Sequence, residues 1–346
     1  MFDKMAVGKR KEGVVMKVLV CGSGGYLGIP LCAELTKAGH EVYGMDRYYF
    51  DKRPEVGAFR GDIRSCNKMV VADTDAVIDL AGLSNDASAD IDEALTIGIN
   101  LTGAMRMATL AKEAGVKKYI YSSSCSVYGA GERSHLNEMD DVNPLTAYAR
   151  SKVGVEDHLR SLASPGFDPI ILRNATVFGV APRMRFDLAV NIMTLRAWRD
   201  SLIYIMGSGK QYRPFVHVLD VVRAFVLALE HDKYLNQTLN VGGDLMNCSI
   251  DGLAWMVRNV FPQAHIHQIP DDPDKRSYHC SFAKIREVLQ FKTHHDITAG
   301  ICEVRQALID GTVSGDDPTT YTVQWYKSLI EWDKRLADIR LDGRIL

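Results

Sequence analysis

Residues 14–20 form a short, valine-rich apolar run, the pattern of a strand buried on both faces. A glycine-dense turn follows. Leu27, Leu31 and Leu35 then recur every fourth residue and Gly39 closes the segment, which predicts a helix. Apolar runs at 41–46, 76–81, 118–121 and 170–172 read as further strands, and 93–114 reads as a helix ended by Gly115. Strand and helix therefore alternate through about residue 175. This rhythm predicts a parallel sheet with helices on both faces. Beyond Phe178 the rhythm loosens. Helices are expected at 220–230, 253–260, 282–289 and 322–336, and strands at 238–241 and 265–269.

With 346 residues the chain exceeds one average domain. We expect an extension over residues 1–15, a nucleotide-binding domain over 16–178, and a smaller α/β cap over 179–346 with segments returning to the first domain. The extension contains Lys9-Arg10-Lys11 and no apolar core, so it does not read as a secretory signal. A net charge of -2, from 41 basic and 43 acidic residues, argues against a nucleic-acid surface or a polybasic membrane anchor. No run of about 18 apolar residues is present, so no transmembrane helix is expected. The seven cysteines are scattered and lack a CxxC pair, which disfavours a disulfide framework and a zinc site. Reduced thiols fit the cytoplasm.

The glycine turn is Gly22-Ser23-Gly24-Gly25-Tyr26-Leu27-Gly28. Between a strand and a helix N-terminus, such a turn offers backbone N–H groups and a helix dipole to a phosphate. Gly22 permits the turn, Gly25 lets the backbone approach a pyrophosphate, and Gly28 allows close helix packing. The spacing is GxxGxxG, not GxGxxG. Asp46 ends the second strand, where a carboxylate accepts hydrogen bonds from ribose hydroxyls or simply holds a turn. In the first role it favours NAD over NADP. Arg47 complicates this, because it could pair with a 2′-phosphate.

Tyr148 and Lys152 stand four residues apart and share a helix face. An ammonium beside a phenol of ordinary pKa ~10 is expected to favour phenolate. Ser122-Ser123-Ser124 follow the strand at 118–121 and fall at the carboxyl edge of the sheet, where doubly wound folds bind ligands. The Ser124 hydroxyl can orient a substrate oxygen while Tyr148 moves its proton. Each element is common alone; their order carries the weight.

In that order the chain resembles the extended short-chain dehydrogenase/reductases of the NAD-dependent sugar-nucleotide epimerase/dehydratase family. The matching segments are VLVCGSGGYLG (18–28), GDIR (61–64), DLAG (79–82), Asn100, YSSSCSVYG (121–129), AYARSK (147–152) and RPFVHVLDVVRA (213–224). The resemblance implies a Rossmann-like sheet and a catalytic set of Ser124, Tyr148 and Lys152. It implies an NAD site lined by Gly22, Gly25, Tyr26, Leu27, Asp46, Asp62, Ile63, Leu80, Ala81, Gly82, Asn100, Ser122, Tyr148 and Lys152. It places Arg213 and Arg276 on the diphosphate of a nucleotide-linked sugar, for which guanidinium geometry is suited. A homodimer paired through the Tyr148 helix is also implied.

Departures from the family narrow the reaction. Dehydratases carry Thr-Asp-Glu where this chain has Ser124-Cys125-Ser126, so no carboxylate there can drive water loss. Epimerases acting at C3 and C5 place a cysteine at the position of Ser126; Cys125 is one residue early and reads as a buried small side chain. Redox at C4 remains, giving a nucleotide-sugar 4-epimerase or, alternatively, a 4-dehydrogenase or 4-ketoreductase. A sensor that binds dinucleotide without chemistry is a third reading. Asn174-Ala175-Thr176 replaces the family's usual aromatic-aromatic-Asn, with Thr176 where an asparagine meets the substrate phosphate. Ser84, Asn85 and Asp86 could reach the sugar, or Ser84 or Asp86 could cap a helix. Arg183 and Arg185 could steer a diphosphate or lie solvated. His217 reads as packed in a strand, and Tyr48-Tyr49-Phe50 as loop packing or an adenine edge.

Overall fold

The computed structural model describes residues 14–130, 135–270, 276–341 and 343–344. The extension expected over 1–15 lies almost wholly outside them; Val14 and Val15 are exposed. The first strand, β1 (Lys17–Cys21), starts later than its apolar run because its parallel neighbours begin pairing at Lys17. It leads through the glycine turn into α1 (Gly28–Lys37), β2 (Glu41–Asp46), β3 (Gly57–Arg60) and β4 (Ala76–Asp79). Short helices α2 (Asp86–Ala89) and α3 (Glu93–Thr96) precede a π-helical stretch at Ile97–Gly103, which runs into α4 (Ala104–Glu113). Then come β5 (Lys118–Ser124), α5 (Ala147–Leu162), β6 (Asp168–Asn174), β7 (Thr176–Phe178) and α6 (Ala189–Asp200). The remainder is β8 (Leu202–Met206), β9 (Tyr212–His217), α7 (Val218–Glu230), β10 (Thr238–Val241), β11 (Asn247–Ser249), α8 (Ile250–Val260), β12 (His265–Ile269), α9 (Ala283–Leu289), α10 (Ile297–Ile309) and α11 (Thr322–Ile339).

Seven parallel strands form the main sheet in the order β10-β6-β5-β4-β1-β2-β3. This is the doubly wound, Rossmann-like arrangement expected. The strand order reverses between β1 and β4, so ligands belong at the carboxyl ends of those strands. Leu31 and Leu35 of α1 and Phe225 and Leu229 of α7 fill one face. Met107 and Ala111 of α4 and Val155 and Leu159 of α5 fill the other. The central strands are buried on both sides, which is why they read as continuous apolar runs rather than alternating ones.

The C-terminal half adds a three-stranded sheet, β11-β9-β7, and a parallel pair, β12-β8. Phe178, Val190, Ile203, Phe215, Leu253, Val257 and Ile301 make its core. From the same half, β10 pairs with β6 at the edge of the main sheet. Strands β2, β10 and β12 match the expected bounds. The single helix expected over 93–114 is continuous but contains the π-helical stretch, where Asn100 turns inward to hold Leu83.

The tightest approach is at Gly28. A Cβ there would lie 2.2 Å from the Gly22 carbonyl oxygen and 2.7 Å from Ser23 Cα, both backbone atoms that cannot swing aside. Gly28→Ala is therefore expected to destabilise the protein by at least about 2 kcal/mol, measured as a lower midpoint in urea unfolding.

Candidate active site

The carboxyl ends of β1, β2, β4, β5 and β6 open into one cavity of about 630 Å³, closed on the far side by the β7–α6 loop, β8, β9 and a tyrosine of α11. Its walls contain every site residue expected from sequence except Asn100. Asn100 is buried behind them; its amide accepts from Leu83 N at 2.8 Å and donates to Leu83 O at 3.0 Å. It therefore shapes the loop after β4 and does not face the cavity.

At one end lies the glycine turn. Gly22 takes φ +80°, and a Cβ on it would sit 2.9 Å from Ala81 N. Gly22 N donates to Met45 O at 2.8 Å, tying the turn to β2. No side chain caps the start of α1, so its first N–H groups have no side-chain acceptor and suit an anion. Asp46 accepts from Gly24 N at 3.0 Å and from Tyr48 N at 2.7 Å. Both roles weighed for it are compatible: the carboxylate braces the turn and lines the cavity. Burial raises its pKa, and the backbone donors work against that rise.

Asp62 is held by Arg64 at 2.6 Å and Arg47 at 2.8 Å, which keeps its carboxyl well below the usual range. Arg47 also lies over the Tyr49 ring. It is thus engaged with a carboxylate rather than poised for a 2′-phosphate. Ile63, Leu80, Ala81 and Gly82 complete this end. The Tyr26 hydroxyl donates to Gly179 O at 2.5 Å and links the turn to the β7–α6 loop.

At the other end, Thr146 caps α5 by accepting from Ala149 N, which sets the helix so that Tyr148 and Lys152 face inward. Lys152 is 6% exposed. Its Nζ donates to Ser122 O at 2.7 Å and lies 4.7 Å from the Tyr121 ring centroid and 5.4 Å from that of Tyr148. Ser124 caps the next turn, accepting from Ser126 N at 3.1 Å, and hydrogen-bonds Tyr148.

The electrostatics differ from the expectation. Burial pushes the Tyr148 phenol above its ordinary value, the Asp86 charge adds to this, and the Ser124 hydrogen bond, Arg185 and Arg276 only partly offset it. Burial also lowers Lys152 to about 8. The same sealed cleft disfavours both phenolate and ammonium, so the protein alone leaves the proton on Tyr148.

Burial fixes the wall around Asn85 and Arg185 as well. Arg185 grips Asp187 through Nε at 3.1 Å and Nη2 at 2.6 Å, and Asn85 donates to the same carboxylate at 2.9 Å. Asn85 is also the cap of α2, in a capping box with Ser88; that role was expected of Ser84 or Asp86. Asp86 instead pairs with Arg276 and accepts from Thr146. Arg213 donates to Tyr212 O and Arg276 O and stacks on Tyr278. Asn174 donates to Ser122 Oγ at 3.0 Å, and Ser84 and Thr176 line the wall. Cys125 is buried with its thiol on Arg173 O and its pKa pushed up by burial. His217 bonds Glu303 at 2.7 Å and stacks on His295.

Three contributors were missed in the sequence. Glu156 accepts from Arg173 Nη2 at 2.6 Å and Ser123 Oγ at 2.6 Å. Its signal was available: it stands four residues beyond Lys152, and Arg173 interrupts an apolar strand. Asp79, fully buried, accepts from Tyr119 at 2.8 Å and holds Ala81 N. Tyr326 enters the cavity from α11, for which no local pattern gave a sign.

Residues 18–242 match the NAD dependent epimerase/dehydratase family. The chain belongs to that family. It is 30% identical to the UDP-glucose 4-epimerase of Azospirillum brasilense, over 84% of this chain and 91% of that one. It is 28% identical to the UDP-glucose 4-epimerase of Bacillus subtilis, over 67% and 76% respectively. The structure of MoeE5 in complex with UDP-glucuronic acid and NAD matches with a TM-score of 0.77 at 26% identity, over 85% of this chain and 99% of that one.

The low Lys152 pKa carries a sign. Because the folded value lies below the ordinary lysine value of 10.5, the unfolded chain binds the extra proton between about pH 8 and 10.5. Stability from this group is lowest below pH 8 and rises as pH climbs to 10.5. Unfolding free energies of wild type and Lys152→Met should diverge by about 3 kcal/mol over that range, in favour of wild type at high pH.

Proposed function

We propose that this protein is an NAD-dependent nucleotide-sugar 4-epimerase acting on a UDP-linked sugar. The observation that carries this reading is one cavity joining the glycine turn and Asp46 to Ser124, Tyr148 and Lys152. The residues fit NAD: Gly22, Gly25 and Gly28 let the turn close tightly, since a Cβ on each would meet backbone, and the α1 N-terminus lacks a side-chain acceptor. Asp46, Asp62, Ile63, Leu80, Ala81, Gly82 and Ser122 would line the dinucleotide, with Arg47 at its edge.

When bound, the nicotinamide supplies a hydride acceptor and donor. The chain's own residues handle the rest. Ser124 holds the C4 oxygen, and Tyr148, as the phenolate that the positive charge of the oxidised cofactor would favour, removes and later returns its proton. Lys152, whose Nζ donates to Ser122 O at 2.7 Å, would orient the cofactor ribose. Arg213 and Arg276 would meet the diphosphate, while Ser84, Asn85, Asn174, Thr176 and Arg185 face the sugar. Because Ser124-Cys125-Ser126 supplies no carboxylate, return of hydride is favoured over loss of water.

A division near residue 178 into a cofactor domain and a cap, with segments of the second half returning to the first, is part of the same reading, supported by the separate cores. We place the protein in the cytoplasm, which its seven free cysteines support. We also infer a homodimer through α5, a reading supported by the exposed Ile97 and Leu145 near that helix.

Incubation with UDP-glucose should yield the C4 epimer by anion-exchange chromatography and NMR, with no net change at 340 nm. Net reduction of NAD would instead support the 4-dehydrogenase reading. Tyr148→Phe should lose at least about 100-fold in turnover while retaining NAD; near-native turnover removes the tyrosine from the mechanism.

A further inference from the structure

The β7–α6 loop carries two buried arginines, Arg183 and Arg185, 3% and 4% exposed. Both line the cavity, and Asp187, between Arg185 and Leu188, lines it too. Arg185 takes both oxygens of Asp187, whereas no carboxylate among the described residues lies within ion-pair distance of Arg183. The Arg183 guanidinium touches neutral groups directly, and Asp187 reaches it only through the Thr322 hydroxyl, which donates to Asp187 Oδ1 at 3.1 Å. Nη2 donates to Thr322 Oγ1 at 2.9 Å, at the first residue of α11, and the plane lies 3.6 Å from the Phe50 ring centroid. Its Nε is buried and meets no acceptor among the described residues.

A buried guanidinium without an anion is strongly unfavourable. Arg183 has no directly paired anion: burial and the like charge of Arg185 lower it to about 10, and Asp187, already gripped by Arg185, offsets this only in part. A cation kept under such conditions on the wall of a ligand cavity calls for an anionic ligand group.

Its neighbours locate that group. Arg183 acts electrostatically on Asp46, at the end of β2, and on Tyr26, in the glycine turn. Tyr26 in turn bonds the carbonyl of Gly179 at the head of the arginine loop. Arg183 thus faces the cofactor end of the cavity from the wall opposite the glycine turn. Arg213 and Arg276 cluster elsewhere, around Tyr278 and Asp86.

We infer that Arg183 is a cofactor-binding residue, meeting the NAD pyrophosphate from the cap side while the glycine turn holds it from below. Thr322 of the C-terminal helix positions it. Phosphate oxygens would supply the acceptor that Nε lacks, and guanidinium suits them bidentately. The inference rests on the NAD reading given above. It adds that the cofactor is clamped between the two halves of the chain, with α11 as part of the clamp.

The test uses full-length protein freed of nucleotide, with dissociation constants measured by calorimetry for NAD, ADP-ribose, adenosine and UDP. Arg183→Met should weaken NAD and ADP-ribose by about 10- to 100-fold and leave adenosine and UDP within twofold. Arg183→Lys, which keeps charge but not the fork, should fall between. Thr322→Val should give a smaller loss for the same two ligands. Unchanged NAD and ADP-ribose binding in Arg183→Met overturns the inference. So does an equal loss for adenosine, which marks a merely structural wall, or a loss confined to UDP. If wild type itself binds neither NAD nor ADP-ribose, the NAD reading falls and this inference with it.

Discussion

The buried pairing of Arg173 with Glu156 is the constraint on which the reactive end of the cavity depends. Arg173 stands in β6 and Glu156 on α5, and both are almost fully buried. Two parallel contacts join them, at 3.0 and 2.6 Å, and the remaining valences go to Ser123, Tyr128 and Arg160. Such a pair stabilises only when its hydrogen bonds are complete, and removing one partner costs about 3–5 kcal/mol. Its geometric effect matters more here. Glu156 is one helical turn beyond Lys152 and two beyond Tyr148, so fixing Glu156 against β5 and β6 fixes the roll of the whole helix. The hydroxyl of Ser123 is fixed in the same network, between Ser122 and Ser124. One ion pair thereby sets the relative positions of Ser122, Ser124, Tyr148 and Lys152.

Burial then decides the charge states. Within the cavity it raises Tyr148 and Asp46 and lowers Lys152 and Arg183. Each shift disfavours the charged form, the signature of desolvation rather than of pairwise attraction. A ligand that brings opposite charge reverses these penalties, so binding and proton readiness are coupled. The cavity's own residues thus favour a neutral phenol and weaken the lysine and arginine cations.

Much of this was legible in the residues. Strands β1, β2, β4, β5 and β6 are central and parallel, so their apolar runs stand out without tertiary knowledge. The glycine turn and the Tyr148–Lys152 spacing are local geometry, and local geometry survives folding. Asn100 lies behind the cavity wall, bonded to Leu83: a polar residue near a ligand can serve the ligand or the loop behind it, and spacing does not separate the two. The cap of α2 falls on Asn85, not on Ser84 or Asp86; spacing fails there for a similar reason, since all three have capping side chains. The phenol's pKa was misjudged because a helix places the lysine near the ring but says nothing of how dry the site is. Strand β3, at the sheet edge, and the helices α6 and α10 lack a strong pattern. Tyr326 and Asp187 reach the cavity through the path of the C-terminal half, which no window of sequence encodes.

The pairing of β10 with β6 joins residues 238–241 to 171–174. During synthesis, the strand that ends the first half emerges well before its outer neighbour exists. Until residue 241 has left the ribosome, β6 presents a bare edge, apolar through Ile170, Ile171 and Leu172, able to pair with any extended chain nearby. The arrangement makes closure of the dinucleotide fold a late event in translation, and it makes a truncation before β10 a route to aggregation rather than to a smaller working enzyme.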